Sequence, residues 1–170
     1  PDNLPQYELY NELTPIESNV VELSAPFTYT AEQGIKVATH QGAHFYTIGQ
    51  RKGLHIGGRP NPSFVIGTDV NTNTVYSGQN DSHNGLNRWA LKIDNEDFHF
   101  VNKRYNLEAL SKLELNFRIR YRQTLQAGKL IVEDSGIYIL FKERQRGITP
   151  GQFAALYLGD ELIASGVIKH

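Results

Sequence analysis

Alternation of apolar and polar residues dominates the chain from Trp89 onward and predicts a series of short β-strands. The stretch from Leu113 to Arg122 is the most regular, because every second residue is apolar. Successive side chains of a strand point to opposite faces of the sheet. We therefore predict one face inside a core, ending at Tyr121, and an opposite face that displays Arg118, Arg120 and Arg122.

Short polar turns join neighbouring β-rich segments into hairpins. Closely spaced strands with tight turns are typical of a small antiparallel barrel or sandwich. The residues from Asn102 to Lys112 predict either a short helix or a loop, and Thr149–Gln152 predicts a type II turn at Pro150-Gly151. The predicted hairpins pair residues 64–70 with 74–76, residues 129–133 with 137–142, and residues 153–158 with 161–168.

These patterns divide the chain into three parts. Residues 1–35 read as a lead-in segment, with a loosely helical stretch from Leu4 to Leu13 and an extended stretch from Val20 to Tyr29. Residues 36–87 form a small β-rich middle domain, and residues 88–170 form a C-terminal antiparallel β-barrel. The predicted fold class is therefore mostly β, with the small middle domain followed by the barrel.

Composition narrows the function classes. The chain has no cysteine, which excludes disulfides, a Cys-ligated zinc site and a cysteine nucleophile within it. It has no apolar run long enough to cross a membrane, so we expect a soluble protein without a membrane partner, and the absence of cysteine fits a cytoplasmic location. It also begins at Pro1 and contains no methionine, and we interpret it as a fragment or a processed piece.

Charge is unevenly distributed along the chain. The first 35 residues contain six acidic residues and no lysine or arginine, whereas residues 118–146 contain seven basic residues and three acidic ones. Two interpretations stay open at this point: a surface for a polyanion, or an ordinary mixed surface whose charges are solvated.

A glycine-rich stretch from His40 to Gly58 carries the candidate binding chemistry. Glycine serves where the backbone takes a positive φ or where another backbone comes close, and turns of this kind can expose N–H groups to anions. Gln50, Arg51 and Lys52 lie in the middle of the stretch. The alternative is a plain connector between hairpins. The predicted loop-shaping residues are His40, Gly42, Gly49, Gly53, Gly57 and Gly58.

The histidines and acids do not predict a catalytic or metal site. His40 and His44 are four residues apart, but no third ligand accompanies them. We expect His40 to bond the backbone of the glycine-rich stretch instead. Tyr46 and Tyr121 either stack on bases or belong to the core.

Three stretches in order resemble the tRNA-specific 2-thiouridylases, some of which are labelled tRNA methyltransferases. They are the His40–Gly58 stretch, Arg120-Tyr121-Arg122-Gln123, and Ile148–Tyr157 followed by Ser165–Ile168. The resemblance covers about residue 34 to the end and implies the middle and C-terminal domains of that family. In the family, sulfur is installed on the wobble uridine of certain tRNA anticodons.

The resemblance also implies what this chain lacks. An N-terminal ATP-pyrophosphatase domain with an S-G-G-x-D-S loop would adenylate the uridine with ATP and Mg²⁺, and two cysteines would supply the sulfur. Neither feature occurs here, so we expect no catalytic residue, no cofactor and no turnover in this chain.

Substrate handling is therefore the expected role, next to the family's own N-terminal domain and the tRNA anticodon region. An alternative is a protein-interaction barrel that docks a sulfur-relay protein, which the acidic first 35 residues favour; a free-standing enzyme has the least support. The candidate tRNA-binding residues are Thr47, Gln50, Arg51, Lys52, Arg118, Arg120, Arg122 and Gln123.

Overall fold

The computed structural model describes residues 1–170 and is mostly β, as predicted. A two-stranded hairpin and a closed six-stranded antiparallel barrel follow a short helical segment. The strands are β1 (Ser63–Asp69), β2 (Thr74–Gln79), β3 (Asn87–Phe100), β4 (Leu115–Arg118), β5 (Gln126–Glu133), β6 (Gly136–Arg146), β7 (Phe153–Leu158) and β8 (Glu161–Ile168). The α-helices are α1 (Pro5–Glu12), α2 (Val20–Ser24) and α3 (Leu107–Ser111).

The barrel closes because the long strand β3 pairs with two neighbours. Its first half pairs with β6 and its second half with β8, and the strand order around the barrel is β3-β6-β5-β4-β7-β8. Full closure leaves no unpaired strand edge. Seventeen buried residues fill the interior, among them Leu91, Phe117, Ile139 and Ile163.

Strand β6 is buried on both faces. Ile137, Ile139 and Phe141 point into the barrel, whereas Tyr138 and Leu140 belong to a second apolar cluster outside it. This explains why residues 137–141 read as a continuous apolar run rather than an alternating one. The outer face of β6 needs a cover, and the N-terminal segment supplies it.

Helices α1 and α2 of the N-terminal segment pack against the barrel. Val20, Leu23 and Tyr10 join the second cluster. The Tyr10 hydroxyl donates to the Leu23 carbonyl (2.9 Å) and accepts the backbone N–H of Trp89 (2.7 Å). The guanidinium of Arg144 lies 5.5 Å from the Tyr10 ring and 5.3 Å from the Trp89 ring. Helix α1, predicted from Leu4 to Leu13, is confirmed.

The prediction of an extended stretch from Val20 to Tyr29 is wrong at its start. Residues Val20–Ser24 form helix α2, which follows a 3₁₀ turn at Glu17–Asn19. β-branched valines favour strands, but docking of Leu23 and Val20 onto β3 and β6 decides the local structure here.

The hairpin predictions are confirmed by β1–β2, β5–β6 and β7–β8. The turn at Thr149–Gln152 is also present: Gly151 has a φ of 85°, and the Gln152 N–H donates to the Thr149 carbonyl (3.3 Å). Between Asn102 and Lys112 the chain forms the short helix α3, one of the two predicted alternatives.

The predicted ten-residue strand from Leu113 to Arg122 is wrong in its length. Strand β4 contains only Leu115–Arg118, and the chain then turns, with Arg122 at a φ of 64°. Tyr121 is consequently 90% exposed instead of buried. The three arginines therefore do not form a stripe on one strand face.

None of the helices is both long and apolar enough to cross a membrane.

We predict that Leu23→Ala destabilises the fold by about 2–5 kcal/mol, because Leu23 is fully buried between the N-terminal segment and β6. Leu9→Ala is the matched control, since Leu9 in α1 is 66% exposed, and we expect a change within about 0.5 kcal/mol. Urea unfolding followed by circular dichroism measures both. Equal effects of the two substitutions would contradict the covering role of the N-terminal segment.

Candidate nucleic-acid interface

The glycine-rich stretch is tied to the middle hairpin at one point. The Gly49 N–H donates to the Val65 carbonyl (2.8 Å), and the Val65 N–H donates to the Gln50 carbonyl (2.9 Å). These two bonds hold Gly49 and Gln50 beside Val65 of β1. They therefore fix the point at which the loop leaves the hairpin. Residues 51–60 make no backbone hydrogen bond to the hairpin, and the chain returns to it where the Asn80 N–H donates to the Pro62 carbonyl (2.9 Å).

The predicted loop-shaping positions differ in whether the structure requires glycine there. Gly49, Gly53 and Gly58 have positive φ values between 69° and 86°, which favour glycine. Gly42 is extended, but a Cβ there would lie 2.7 Å from the His44 ring. Gly57 has neither a positive φ nor any atom within 4 Å of a Cβ, so nothing in the structure requires glycine there.

His40 bonds the backbone of the stretch, as predicted. Its Nδ1 accepts the Gly42 N–H (3.1 Å), and its ring lies edge-on to Tyr46 at 5.4 Å. His44 instead lies against Phe45. No group of three histidine, aspartate or glutamate side chains in the structure is arranged to hold a metal ion.

The side chain of Gln50 forms hydrogen bonds within the loop itself. Its Oε1 accepts the Thr47 N–H (3.1 Å) and its Nε2 donates to the Lys52 carbonyl (2.9 Å). Arg51 and Lys52 are exposed and form no ion pair. Of the basic and amide side chains predicted here, Arg51 and Lys52 are thus the ones that are exposed and have no ion-pair partner within the chain.

The loop touches the barrel through two glycines. A Cβ added at Gly49 would lie 3.6 Å from the Gly147 Cα, directly after β6. Gly147 has a φ of 70° and its N–H donates to the Leu86 carbonyl (2.8 Å). A Cβ at Gly147 would lie 3.6 Å from Nη1 of Arg120. The glycine-rich stretch and the arginine loop, two separate predictions from the sequence, therefore meet at this contact.

The three predicted arginines differ in their surroundings: Arg118 ends β4, and Arg120 and Arg122 lie in the loop of residues 119–125 that follows, called here the arginine loop. Arg120 is exposed, and partial burial of its guanidinium together with the nearby Arg146 lowers its pKa. The Arg122 guanidinium lies 5.5 Å from the ring of Tyr121. Arg118 lies over the ring of Tyr157 at 5.4 Å, with its Nε buried and without a hydrogen-bond partner. None of these three arginines forms an ion pair.

Gln123 points inward rather than toward a partner. Its Oε1 accepts the Ile119 N–H (2.9 Å) and its Nε2 donates to Oε1 of Gln145 (2.9 Å). Gln145 is 3% exposed and donates in turn to Gln126 (3.2 Å). The Gln123 amide therefore closes the arginine loop, and reading of a base by Gln123 would have to replace these bonds; that role stays a prediction.

Two further basic side chains lie at this surface, and neither was among the tRNA-binding residues predicted from the sequence. Arg146 lies over the Phe64 ring at 5.5 Å and 4.0 Å from Asp81, beside Arg120. Arg59 lines a cleft of about 360 Å³ with Arg51 and His55, and this cleft has no acidic residue in its lining. Arg59 directly follows the glycine-rich stretch in the sequence, whereas nothing in the sequence indicates that Arg146 lies beside Arg120.

Comparison with known families and proteins bears on this surface. Residues 20–79 match the model described as tRNA methyl transferase PRC-barrel domain, and residues 91–168 match the aminomethyltransferase beta-barrel domain. The chain is 47% identical over 146 residues to the tRNA-specific 2-thiouridylase MnmA of Flavobacterium johnsoniae, covering 86% of this chain. The chain belongs to the tRNA-specific 2-thiouridylase family.

Other members of the family agree with this assignment. The tRNA-specific 2-thiouridylases of Christiangramia forsetii and Karelsulcia muelleri are 45% and 37% identical, each over 86% of this chain. The chain spans only 37% of the Flavobacterium and Christiangramia proteins and 38% of the Karelsulcia protein. The match to the middle-domain model begins at residue 20, earlier than the predicted start near residue 34.

We predict that Gln123→Ala destabilises the chain by about 1–3 kcal/mol, because it removes the hydrogen-bond partners of the Ile119 N–H and of Oε1 of the buried Gln145. Gln41→Ala is the control, since Gln41 is exposed, and we expect no measurable change there. Chemical denaturation measures both. Unchanged stability of Gln123→Ala together with lost RNA affinity would assign Gln123 to base recognition.

Proposed function

We propose that this chain is the tRNA-binding portion of a tRNA-specific 2-thiouridylase. One observation carries the proposal: the glycine-rich stretch meets the arginine loop at Gly49 and Gly147, where Arg120 lies without an ion pair. The family membership and the names of the relatives support tRNA as the polyanion.

Each part of the arginine loop suits a different part of a nucleotide. Arg120 and Arg122 are exposed forks that can bind phosphate oxygens in a bidentate way. Tyr121, 90% exposed beside Arg122, provides a ring on which an unpaired base can stack. An anticodon loop offers both unpaired bases and phosphates, which fits this combination.

Chemistry on the uridine belongs to a different part of the protein in this proposal. The residues present here do not fit a Mg²⁺ site, since no group of three suitable side chains comes together. We assign ATP, Mg²⁺ and the sulfur-carrying cysteines to the N-terminal domain that the family resemblance implies. The present chain would hold the anticodon region while that domain acts, in the cytoplasm where tRNA is modified.

We predict that Arg120→Ala and Arg122→Ala each weaken binding of a wobble-uridine anticodon stem-loop and flatten its salt dependence. Each lost phosphate contact lowers the slope of log K against log salt by about 0.7–0.9. Fluorescence anisotropy at several salt concentrations measures the slope, with a scrambled loop for comparison.

The matched control for this prediction is Arg104→Ala. Arg104 is exposed and follows the end of β3 that pairs with Ala164, whereas Arg120 lies at the end of the barrel near Gln152 and Ile168. We expect wild-type affinity for Arg104→Ala. A wild-type salt slope in both Arg120→Ala and Arg122→Ala would refute the role of the arginine loop.

A protein partner is the second candidate, and exposed apolar side chains favour it. Ile35 and Phe45 are 75% and 69% exposed. Ile35 also lines a cleft of about 440 Å³ between residues 34–40, Leu54, Ile56 and strand β2. Exposed apolar surface of this kind is typical of an interaction site. We propose the protein's own N-terminal ATP-pyrophosphatase domain as the occupant, with a sulfur-relay protein as the alternative.

We predict that the double variant Ile35→Ser, Phe45→Ser loses affinity for the ATP-pyrophosphatase domain of the Flavobacterium relative by at least about tenfold, because two apolar side chains no longer become buried. Sedimentation velocity of the mixed proteins measures this. Val101→Ser, at a residue 58% exposed at the far end of β3, is the control. Unchanged affinity would refute this site; lost binding of a sulfur-relay protein instead would identify that partner.

A further inference from the structure

A second cleft lies where all three parts of the chain meet. Its volume is about 410 Å³, within the range of small-ligand sites. The N-terminal segment contributes Phe27, the middle domain contributes Thr47 and Ile66, and the barrel contributes Arg88 and Thr149. The cleft shares only Tyr46 with the cleft at Ile35 and shares no lining residue with the basic cleft at Arg59.

Arg88 is the only charged residue in the lining of this cleft, and it is only 6% exposed. A guanidinium carries five N–H donors. Within the protein, Arg88 makes one hydrogen bond, from Nη1 to the Ser24 carbonyl, and it forms no ion pair. A buried charge is costly unless it is paired and hydrogen-bonded, so Arg88 is incompletely satisfied by the chain.

The surroundings of Arg88 contain no compensating acid. None of the fifteen residues that line the cleft is aspartate or glutamate. Tyr10 and Tyr29 are the titratable groups that act on Arg88, and burial raises the pKa of both, so they are neutral near pH 7. Burial lowers the pKa of Arg88 to about 10, which leaves it cationic near pH 7. The cleft is therefore electropositive.

The rim of the cleft adds neutral donors around the buried charge. Thr47, Thr68 and Gln152 line it with exposed side chains. A hydroxyl or amide can donate to an anion without adding charge. The floor is apolar, formed by Ile66, Leu86 and Ile148, so an anion there would be shielded from water.

We propose that this cleft is a binding site for a phosphate group, held by Arg88 and surrounded by the donors of the rim. A phosphate suits the site better than a carboxylate does, because its oxygens can accept from donors on three different segments at once. The group can belong to a free phosphate compound or to a nucleotide of bound RNA. The site itself does not depend on the proposed role of the arginine loop.

The first test is calorimetric titration of inorganic phosphate into the purified chain at constant ionic strength, with chloride as the balancing anion. We expect saturable binding at one site. Arg88→Met should weaken it by at least about tenfold, and Arg88→Lys should weaken it less, because lysine keeps the charge but loses the fork. Arg104→Met is the matched control and should bind phosphate as the wild type does.

Folding of the variants is checked independently. Replacing a buried charge by an apolar residue of similar volume is often tolerated, and circular dichroism shows whether Arg88→Met is folded. The double variant Thr68→Val, Gln152→Leu removes donors only from exposed rim positions, so its fold should be unaffected. We expect it to weaken phosphate binding as well.

The second test repeats anticodon stem-loop binding with Arg88→Met and Arg104→Met. Phosphate binding that Arg88→Met removes, with unchanged stem-loop affinity, supports the site with a free phosphate compound as its ligand. Loss of phosphate binding together with reduced stem-loop affinity supports the site with RNA as the source. No phosphate binding, but stem-loop affinity reduced only by Arg88→Met, supports the site with RNA as the source. Unchanged binding of both probes by Arg88→Met overturns the proposal, whatever Arg120→Ala does.

Discussion

The two-sided burial of strand β6 is the constraint on which the rest of the structure depends. Its inner residues fill the barrel, and its outer residues Tyr138 and Leu140 must be covered by something other than the barrel. The N-terminal segment provides that cover through Tyr10 and Leu23. The same strand ends at Arg146, and the next residue, Gly147, meets the glycine-rich stretch. One strand thus brings the three parts of the chain together.

The unpaired arginines separate into two kinds by their burial. Arg122 is exposed and Arg120 is only partly buried in the free protein, so binding a phosphate there exchanges water for the ligand and is sensitive to salt. Arg88 has already lost most of its water on folding. A bound anion would therefore replace the hydrogen bonds to water that Arg88 loses on folding. Salt would screen the attraction between this anion and the buried guanidinium less than it screens an exposed pair. The two sites differ in physical character even if both meet the same molecule.

Local sequence information predicted the hairpins and the turn at Pro150-Gly151, because turn residues act on their own immediate neighbours. It failed at Arg120 to Arg122, where alternation continues although the strand has ended. The Gln123 side chain closes that loop by a bond to Ile119 and by another to Gln145, 22 residues away. Helix α2 was missed for a similar reason, since docking onto β6 outweighs the preference of valine for strands.

The candidate site was predicted in its components but not in its arrangement. Charge and glycine content indicated Arg51, Lys52 and the arginine loop, yet the contact of Gly49 with Gly147 joins residues almost 100 positions apart. Arg88 gave no signal at all, because a single arginine within a strand is usually a solvated surface residue. Its burial arises only when the N-terminal segment and the middle hairpin close over it.

The position of Trp89 gives the molecule a built-in optical reporter. It is the only tryptophan of the chain, and it lies at the seam between the N-terminal segment and the barrel, under Arg144 and beside Tyr10. Indole emission responds to nearby charge and to water. The intrinsic fluorescence of this protein therefore reports on detachment of its first 25 residues, and it can change while the barrel interior is still intact.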